Sequence, residues 1–290
     1  MLTVNPCIKT AMKASPHTFD SLLSDKLTTD MLPNFIYGSY TGLAVTVFGL
    51  VPTITAMFGK SILPSLAESC AKNDKKAMQS GLTKMLIVTS IIAIPAGMGI
   101  AVLSEPILRF LFGGRETEIQ VCIMPMSILG IAVIFLAIAT PCFSILQTLG
   151  KPHKAIIIML AGGIIKLFLN IILIRQPIIN ISGAAISTLV SEVFICVLSV
   201  RSVCKMADLK PKVSEIFVKP TYVAIMCSVT AVLSHETLTK IAHLQINHRF
   251  VTLFSIGIGS TMYFFCLYLL CETPKNIVNY IFSKKNPQNP

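Results

Sequence analysis

The chain consists of long apolar segments that carry few charges, separated by short loops rich in lysine and arginine. A helix needs about 20 apolar residues to cross the hydrocarbon core of a bilayer. Uncharged stretches of that length or more lie at 31–59, 85–104, 119–150 and 250–271. We therefore predict an all-α polytopic membrane protein with about seven spans, at 35–66, 82–104, 119–148, 154–175, 180–201, 217–235 and 250–271.

The composition agrees with a membrane protein. Hydrophobic residues make up 53% of the 290 positions and charged residues only 13%, whereas soluble domains carry roughly 25% charge. The nine cysteines are scattered without a CxxC pair, which favours apolar packing and predicts neither a disulfide nor a metal site. His235 and Glu236 lack a second histidine at zinc-site spacing. We therefore predict that the chain is not an enzyme and needs no cofactor.

The net charge of +11 is concentrated on alternate loops. One set of loops, together with the tail, carries fourteen lysines and arginines, whereas the other set carries five. Cytoplasmic loops of membrane proteins are rich in basic residues. We therefore place the loops at 70–84 and 201–219 and the C-terminus in the cytoplasm, which leaves the N-terminus outside. This topology accounts for the positive charge, so no nucleic-acid partner is predicted.

Five prolines fall within the first three predicted spans, namely Pro52, Pro64, Pro95, Pro125 and Pro141. Each removes one backbone hydrogen bond and leaves the carbonyl four residues earlier without its helical partner. Broken helices line the binding sites of many transporters, although membrane helices in general contain more proline than soluble ones. We predict helix breaks at these five positions and favour a transporter.

Charged and polar side chains lie inside three of the predicted spans. Lys60 is near the cytoplasmic end of the first, where it either reaches the interface or faces a cavity. Lys166 and Glu192 lie near the middle of the fourth and fifth spans, and Asn170 shares the helix face of Lys166. These four residues are the candidate substrate or ion pathway. A purely structural Lys166–Glu192 ion pair and a cavity wall that contacts substrate or a coupling ion both stay open.

Glycines also recur in pairs inside the spans. Small residues let membrane helices approach each other closely. We therefore predict close helix contacts at Gly97/Gly99, Gly162/Gly163 and Gly257/Gly259.

Several spaced motifs resemble one transporter superfamily. The chain reads SILPSLAESCAKNDKKAMQSGLTK, then IPAGMGI and EPILRFLFG, then FSILQTLGKPHKA, and finally IKLFLNIILI followed by ISGAAISTLVSE. In this order the motifs resemble the multidrug/oligosaccharidyl-lipid/polysaccharide (MOP) flippase superfamily, and in particular its stage V sporulation protein B and polysaccharide biosynthesis branch. The resemblance extends over about residues 35–272.

The resemblance implies a domain arrangement. MOP flippases have two six-helix lobes, often with two further helices, so 31–206 is expected to be a second lobe that lacks its first helix. Residues 207–272 would be the two trailing helices and 273–290 a cytoplasmic tail. Residues 1–30 are polar and unmatched, without the apolar core of a signal peptide. We thus expect a truncated chain whose partner is a missing first lobe or a second copy.

The same resemblance implies a function in the cell membrane. The expected activity is the flipping or export of polyprenyl-pyrophosphate-linked glycans for cell-wall, spore-cortex or polysaccharide synthesis. The expected partners are lipid-linked oligosaccharide and membrane lipids. A drug/cation antiporter of the same fold is one alternative, although two lysines and one glutamate in the spans favour an anionic substrate. A non-transporting remnant that needs a partner lobe is the other alternative.

Overall fold

The computed structural model describes residues 4–14, 30–72, 74–177, 179–206, 217–242 and 248–270. No strand occurs among these residues. A short π-helical segment, Tyr40–Ala44, joins the second and third helices. The predicted tail at 273–290 and much of the predicted loop at 201–219 lie outside the described residues. The helices are α1 (Val4–Ala14), α2 (Leu32–Ser39), α3 (Val45–Phe48), α4 (Leu50–Ala71), α5 (Lys75–Val102), α6 (Ser104–Phe112), α7 (Glu116–Thr148), α8 (Pro152–Leu173), α9 (Ser182–Met206), α10 (Lys219–Ala242) and α11 (His248–Leu270).

Five parts of the described chain are long and apolar enough to cross a membrane, namely Leu32–Ala71, Lys75–Val102, Glu116–Thr148, Pro152–Leu173 and Ser182–Met206. They coincide with the first five predicted spans, which confirms an all-α, multi-pass membrane protein. The sixth and seventh predicted spans correspond to α10 and α11, which are 24 and 23 residues long. That these two helices also cross the membrane stays a prediction.

The first span is interrupted next to Pro52. The helix α3 ends at Phe48, and Gly49 separates it from α4, whose third residue is Pro52. Proline has no amide hydrogen to donate to the carbonyl of Phe48, four residues earlier, and its ring crowds that carbonyl. The interruption is confined to Gly49, three residues before Pro52, and the backbone dihedral angles of Gly49 remain helical.

The prediction of helix breaks is wrong for the other four prolines. The helix α4 continues through Pro64, α5 through Pro95, and α7 through both Pro125 and Pro141. A membrane helix tolerates proline where groups on neighbouring helices satisfy the freed backbone carbonyl. One hydrogen bond per proline is lost, but the rest of the helical ladder holds the helix together.

At Pro95 the replacement for the lost hydrogen bond is visible. Pro95 leaves the carbonyl of Ile91 without its helical donor. The hydroxyl of Tyr263, a buried residue of α11, donates a hydrogen bond of 3.0 Å to this carbonyl. A side chain of the last described helix thus stabilises the proline site in α5.

The helix α7 lies at the centre of the bundle. It packs against α4, α5 and α9, while α8 packs mainly on α9 and the α10–α11 pair packs on α5. An ideal Cβ built on Gly97 of α5 would lie 2.6 Å from the carbonyl oxygen of Gly130 on α7. In each predicted glycine pair one member makes such a close contact, while the other has nothing within 4 Å; the close members are Gly97, Gly162 and Gly259, and the open ones are Gly99, Gly163 and Gly257.

The helix α1 lies within the segment that the sequence suggested was only polar. Its apolar residues recur at helical spacing, and Val4, Ile8 and Ala11 are buried in the same core as Leu32 of α2. This 11-residue helix is far too short to span a bilayer, which is why a search for spanning segments passes over it. Its position on α2 and α8 adds an element to the predicted lobe.

Candidate functional site

The helices α8 and α9 form an antiparallel pair in which small residues and hydroxyl groups make the contact. An ideal Cβ on Gly162 of α8 would lie 2.4 Å from the Ile195 side chain of α9. The Ser191 hydroxyl donates a hydrogen bond of 2.8 Å to the Gly162 carbonyl. Nearer the turn, an ideal Cβ on Gly183 would lie 2.9 Å from the backbone of Leu173. The two backbones are therefore close along much of the pair.

Asn170 takes part in this contact. Its side-chain oxygen accepts a hydrogen bond from the hydroxyl of Ser187, and both residues are buried. Lys166 lies midway between Gly162 and Asn170, and residues four apart share one face of a helix. Lys166 is half-buried. The structure therefore brings Lys166 and Asn170 to the α8–α9 contact.

The two predicted intramembrane charges lie at comparable depth. The helix α8 ends at Leu173, so Lys166 lies about 10 Å from that end at 1.5 Å per residue. The helix α9 begins at Ser182, and Glu192 lies about 15 Å along it. Lys166 thus lies about 5 Å from the middle of α8, on the side of the α8–α9 turn, and Glu192 lies near the middle of α9.

Glu192 is 8% exposed, and its Oε2 atom is buried without a hydrogen-bond partner. Among the described residues, Lys72 pairs with Glu68, and Arg109 pairs with Glu105 and Glu116. No such ion pair joins Glu192 to Lys166 in this part of the chain. In this structure the two residues therefore form no direct ion pair.

Helix geometry explains why Lys166 and Glu192 do not touch. The Ser191 side chain bonds to Gly162, so Glu192, the next residue, is rotated by about 100° around α9 from that contact. Lys166 lies on the face of Gly162. Opposite charges on two adjoining helices still attract each other across such a gap, because an apolar bundle screens charges weakly.

These groups form a polar patch in an otherwise apolar helix pair. An ammonium group is a strong donor to phosphate oxygens, and the nearby carboxylate offers it an alternative counter-charge. A charged side chain inside a membrane span costs about 3 kcal/mol on insertion scales, and such residues commonly mark the paths of substrates or ions. The patch is therefore suited to hold an anionic group reversibly.

The structure does not bring Lys60 to this patch. The helix α4 packs on α5 and α7, and Lys60 is exposed. Gly81 of α5 lies against Leu66 of α4, which sets the two antiparallel helices in register. Lys60 is then about 5 Å farther into the span than Lys84. A lysine side chain can extend over that distance to the interface, so the interfacial alternative is favoured.

The predicted prolines also lie apart from the patch, since none is in the interior of α8 or α9. Pro141 instead packs in α7 against Gly59 of α4, where an ideal Cβ would lie 2.6 Å away.

The sequence interpretation missed Ser187 and Ser191. The spacing of small residues at 183, 187 and 191 could have indicated them, because residues four apart share one face of a helix, here α9.

A second charged cluster lies at the turn between α6 and α7. The Arg109 guanidinium donates hydrogen bonds to Glu105 at 3.0 Å and to Glu116 at 2.6 Å. The bond to the Glu105 carboxylate raises the pKa of Arg109 above its ordinary value. Each of these side chains is more than 40% exposed, and exposed ion pairs contribute little to stability. We interpret the cluster as a surface link between two helices.

A family model described as lipid II flippase MurJ matches residues 35–252. The chain belongs to the MurJ family. The matched range begins in α2 and ends in α11, so it contains all four predicted pathway residues. Membership confirms the predicted relation to the MOP flippases.

Two relatives of this MurJ-family chain come from Bacillus subtilis strain 168. Its lipid II flippase MurJ is 21% identical over 225 residues, which are 75% of this chain and 40% of the relative. Its stage V sporulation protein B is 22% identical over 184 residues, which are 62% of this chain and 34% of the relative. The chain thus spans well under half the length of these curated relatives.

A solved MOP superfamily transporter from Pyrococcus furiosus has a similar structure. The TM-score is 0.53 at 15% sequence identity, over 92% of this chain and 64% of the transporter. At this identity the likeness shows the fold alone. The predicted MOP-type helix bundle is confirmed.

Proposed function

We propose that this MurJ-family chain takes part in flipping polyprenyl-pyrophosphate-linked glycans across the cell membrane. The observation that carries the proposal is Lys166, a half-buried cation inside a span, beside the buried Asn170–Ser187 hydrogen bond. The family supports the substrate class, since its model is described as a lipid II flippase. Flipping moves a lipid without making or breaking a covalent bond, so no catalytic residue is assigned.

In this proposal Lys166 contacts the pyrophosphate of the lipid. Two negatively charged phosphates need a counter-charge inside the membrane, where water does not supply one. Asn170 is held in position by its hydrogen bond with Ser187 and extends the polar patch beside the ammonium group of Lys166. Glu192 stabilises the charge of Lys166 through space when no substrate is bound, which makes the site reversible.

The helices would act as one of two lobes that rock around a central site, as alternating access requires. The proposed partners are the lipid-linked glycan, the surrounding lipids, and a second lobe that covers the α8–α9 face. We also propose that the C-terminus is cytoplasmic, which rests on the fourteen-to-five distribution of basic residues.

The first experiment measures binding. Purified protein in nanodiscs is mixed with a fluorescent polyprenyl-pyrophosphate glycan and, separately, with the same lipid lacking both phosphates. We expect the pyrophosphate lipid to bind more tightly, and Lys166→Gln to weaken it about tenfold, the effect of losing one charge-assisted hydrogen bond. Lys151→Gln, an exposed lysine at the start of α8, is the control and should change nothing. Equal binding of the two lipids would overturn the proposal.

The second experiment measures transport in the cell. Depletion of the protein should leave the lipid-linked glycan on the inner leaflet, and the wild-type chain but not Lys166→Gln should restore its export. A drug/cation antiporter of the same fold would instead leave the glycan unaffected and change the accumulation of lipophilic cations. The two readouts therefore separate the two functions.

A further inference from the structure

Glu192 lies on the face of α9 that the core of the bundle covers. Residues three, four or seven apart share one face of a helix, and the neighbours of Glu192 on this face, Thr188, Cys196 and Ser199, are all buried. Glu192 itself is only 8% exposed. A side chain that can carry a charge therefore points into the protein and away from the surrounding lipid.

The hydroxyl groups around Glu192 are engaged elsewhere. In the described part of the chain, the hydroxyls of Thr188 and Ser199 each donate a hydrogen bond to a backbone carbonyl of α9 itself. The Ser191 hydroxyl, one residue before, donates to the carbonyl of Gly162. The Oε2 atom of Glu192 is buried and has no hydrogen-bond partner. Its negative charge is thus not compensated by a donor at this oxygen.

The helices packed against α9 provide one charged group near Glu192. From α8 this group is the ammonium of Lys166, at comparable depth. From α7 comes the thiol of Cys142, which lies in one core cluster with Cys196 of α9, and from the first span comes Tyr40, whose hydroxyl forms a hydrogen bond with α9 one turn before Glu192. Thiols and phenols are largely uncharged at neutral pH, so among these described residues Lys166 supplies the charge that acts on Glu192.

We propose that Glu192 takes up one proton when the pyrophosphate of the transported lipid engages Lys166, so that lipid and proton bind together. Without lipid, the ammonium of Lys166 offsets the carboxylate across the helix pair. A bound pyrophosphate engages that ammonium and brings further negative charge close to the carboxylate. A proton from water then bonds to a carboxylate oxygen and removes the repulsion, and it returns to water when the lipid leaves. This inference rests on the proposed function of Lys166.

The proposal gives lipid binding a defined dependence on pH. Coupling between two ligands is reciprocal, so a lipid that promotes proton uptake must bind more tightly when protons are more abundant. If one proton is taken up, the affinity rises about tenfold for each unit by which the pH falls. A carboxylate with a purely structural role would keep one protonation state and would not produce this dependence.

The test measures proton uptake by the full chain in nanodiscs. Titration calorimetry with a polyprenyl-pyrophosphate glycan, in buffers of different ionisation enthalpy, gives the number of protons taken up with the lipid. Because the pyrophosphate can itself take up protons, the number is compared with that of E192Q. We expect wild type to take up about one proton more than E192Q, and E192Q to lose the tenfold change in affinity per pH unit.

Two further variants separate the carboxyl group from its surroundings. Glu192→Asp keeps a group that can take up a proton and should retain the uptake. Glu236→Gln, which removes an exposed carboxylate of α10, is the matched control and should behave as wild type. Since E192Q resembles the protonated, neutral carboxyl, it should bind the lipid at neutral pH at least as tightly as wild type. Weaker binding by E192Q at every pH would overturn the proposal.

Infrared difference spectroscopy of wild type provides a readout that needs no variant to fold. Addition of the pyrophosphate lipid should produce the carbonyl stretching band of a protonated carboxylic acid, and E192Q should lack this band. Absence of the band in wild type would overturn the proposal. A second arm replaces Na⁺ with N-methylglucamine at constant pH. If this weakens lipid binding in wild type but not in E192Q, a metal cation neutralises Glu192 and the proton proposal is wrong.

The same titrations distinguish this inference from the proposed function. Tight binding of the pyrophosphate lipid with equal proton numbers in wild type and E192Q would overturn the inference and leave the proposed function intact. Equal binding of the pyrophosphate lipid and the lipid that lacks both phosphates would overturn the proposed function, and the inference with it.

Discussion

At the scale of single residues, one position along a helix can decide whether a side chain is tolerated. Gly97 and Gly99 are two residues apart in α5, yet only Gly97 lies against the backbone of α7. Two residues correspond to a rotation of about 200° around a helix. The same sequence motif therefore contains one residue at a helix contact and one that faces open space.

We predict that Gly97→Ala destabilises the protein and that Gly99→Ala does not. The added Cβ at position 97 would lie 2.6 Å from the Gly130 carbonyl oxygen, so α5 and α7 must separate, which costs about 1–3 kcal/mol. Thermal unfolding in detergent measures the difference. Similar melting temperatures for the two variants would show that the helices do not approach this closely.

A second prediction concerns the two charges inside the α8–α9 pair. Lys166→Met should destabilise the protein by about 1–2 kcal/mol, because Glu192 then loses the attraction of an opposite charge across the helix pair. The double variant K166M/E192Q should be more stable than Lys166→Met, since neither charge remains. Chemical denaturation gives the free energies of unfolding of wild type, Lys166→Met, Glu192→Gln and the double variant, which together form a double-mutant cycle. Lys151→Met is the exposed control. Additive losses would argue against coupling between the two residues.

At the scale of helices, the bundle depends on how broken backbone hydrogen bonds are replaced. Pro52 lies in the first turn of α4, directly after the interruption at Gly49, whereas Pro95 lies inside α5 and has its freed carbonyl bonded to Tyr263. At Pro95 a donor on a neighbouring helix satisfies the freed carbonyl, where no water does.

Because of this arrangement, the contribution of the Tyr263 hydroxyl to stability should depend on the presence of Pro95. Tyr263→Phe should destabilise the protein by about 1–2 kcal/mol, because the Ile91 carbonyl becomes an unsatisfied buried acceptor. Pro95→Ala gives position 95 an amide hydrogen that can bond to the same carbonyl, so Tyr263→Phe should then cost little. Thermal unfolding of the four proteins measures the coupling. Tyr222→Phe, which is 69% exposed, is the control.

An equal effect of Tyr263→Phe with and without Pro95 would contradict the assignment. The hydroxyl would then contribute through some other contact of Tyr263, and the proline site would be held by the remaining helix alone.

At the scale of the whole molecule, the distribution of basic residues predicts orientation. Cys70 is exposed at the end of α4, whereas Cys204 is buried, so Cys70 is the better probe. An impermeant maleimide should label Cys70 only after the membrane is permeabilised. Arg115→Cys, at the α6–α7 turn, should be labelled in intact cells. Labelling of Cys70 from outside would reverse the topology.

The sequence by itself determined the fold class and the positions of the first five spans. Apolar length and loop charge are properties of the chain alone, so the spans and the four candidate residues could be located without coordinates. The MOP motifs likewise pointed to the family that the comparison confirmed. These features depend on distance along the chain and on transfer into lipid.

Only the tertiary structure decided which helix faces meet. It separated Lys60 from Lys166, showed that Lys166 and Glu192 do not form an ion pair, and identified Ser187 as the partner of Asn170. It also showed that a distant tyrosine stabilises the Pro95 site. A sequence defines the angle of each residue around its own helix. The rotation and register of one helix against another arise from close packing, which in this bundle depends on contacts as local as Gly162 against Ile195.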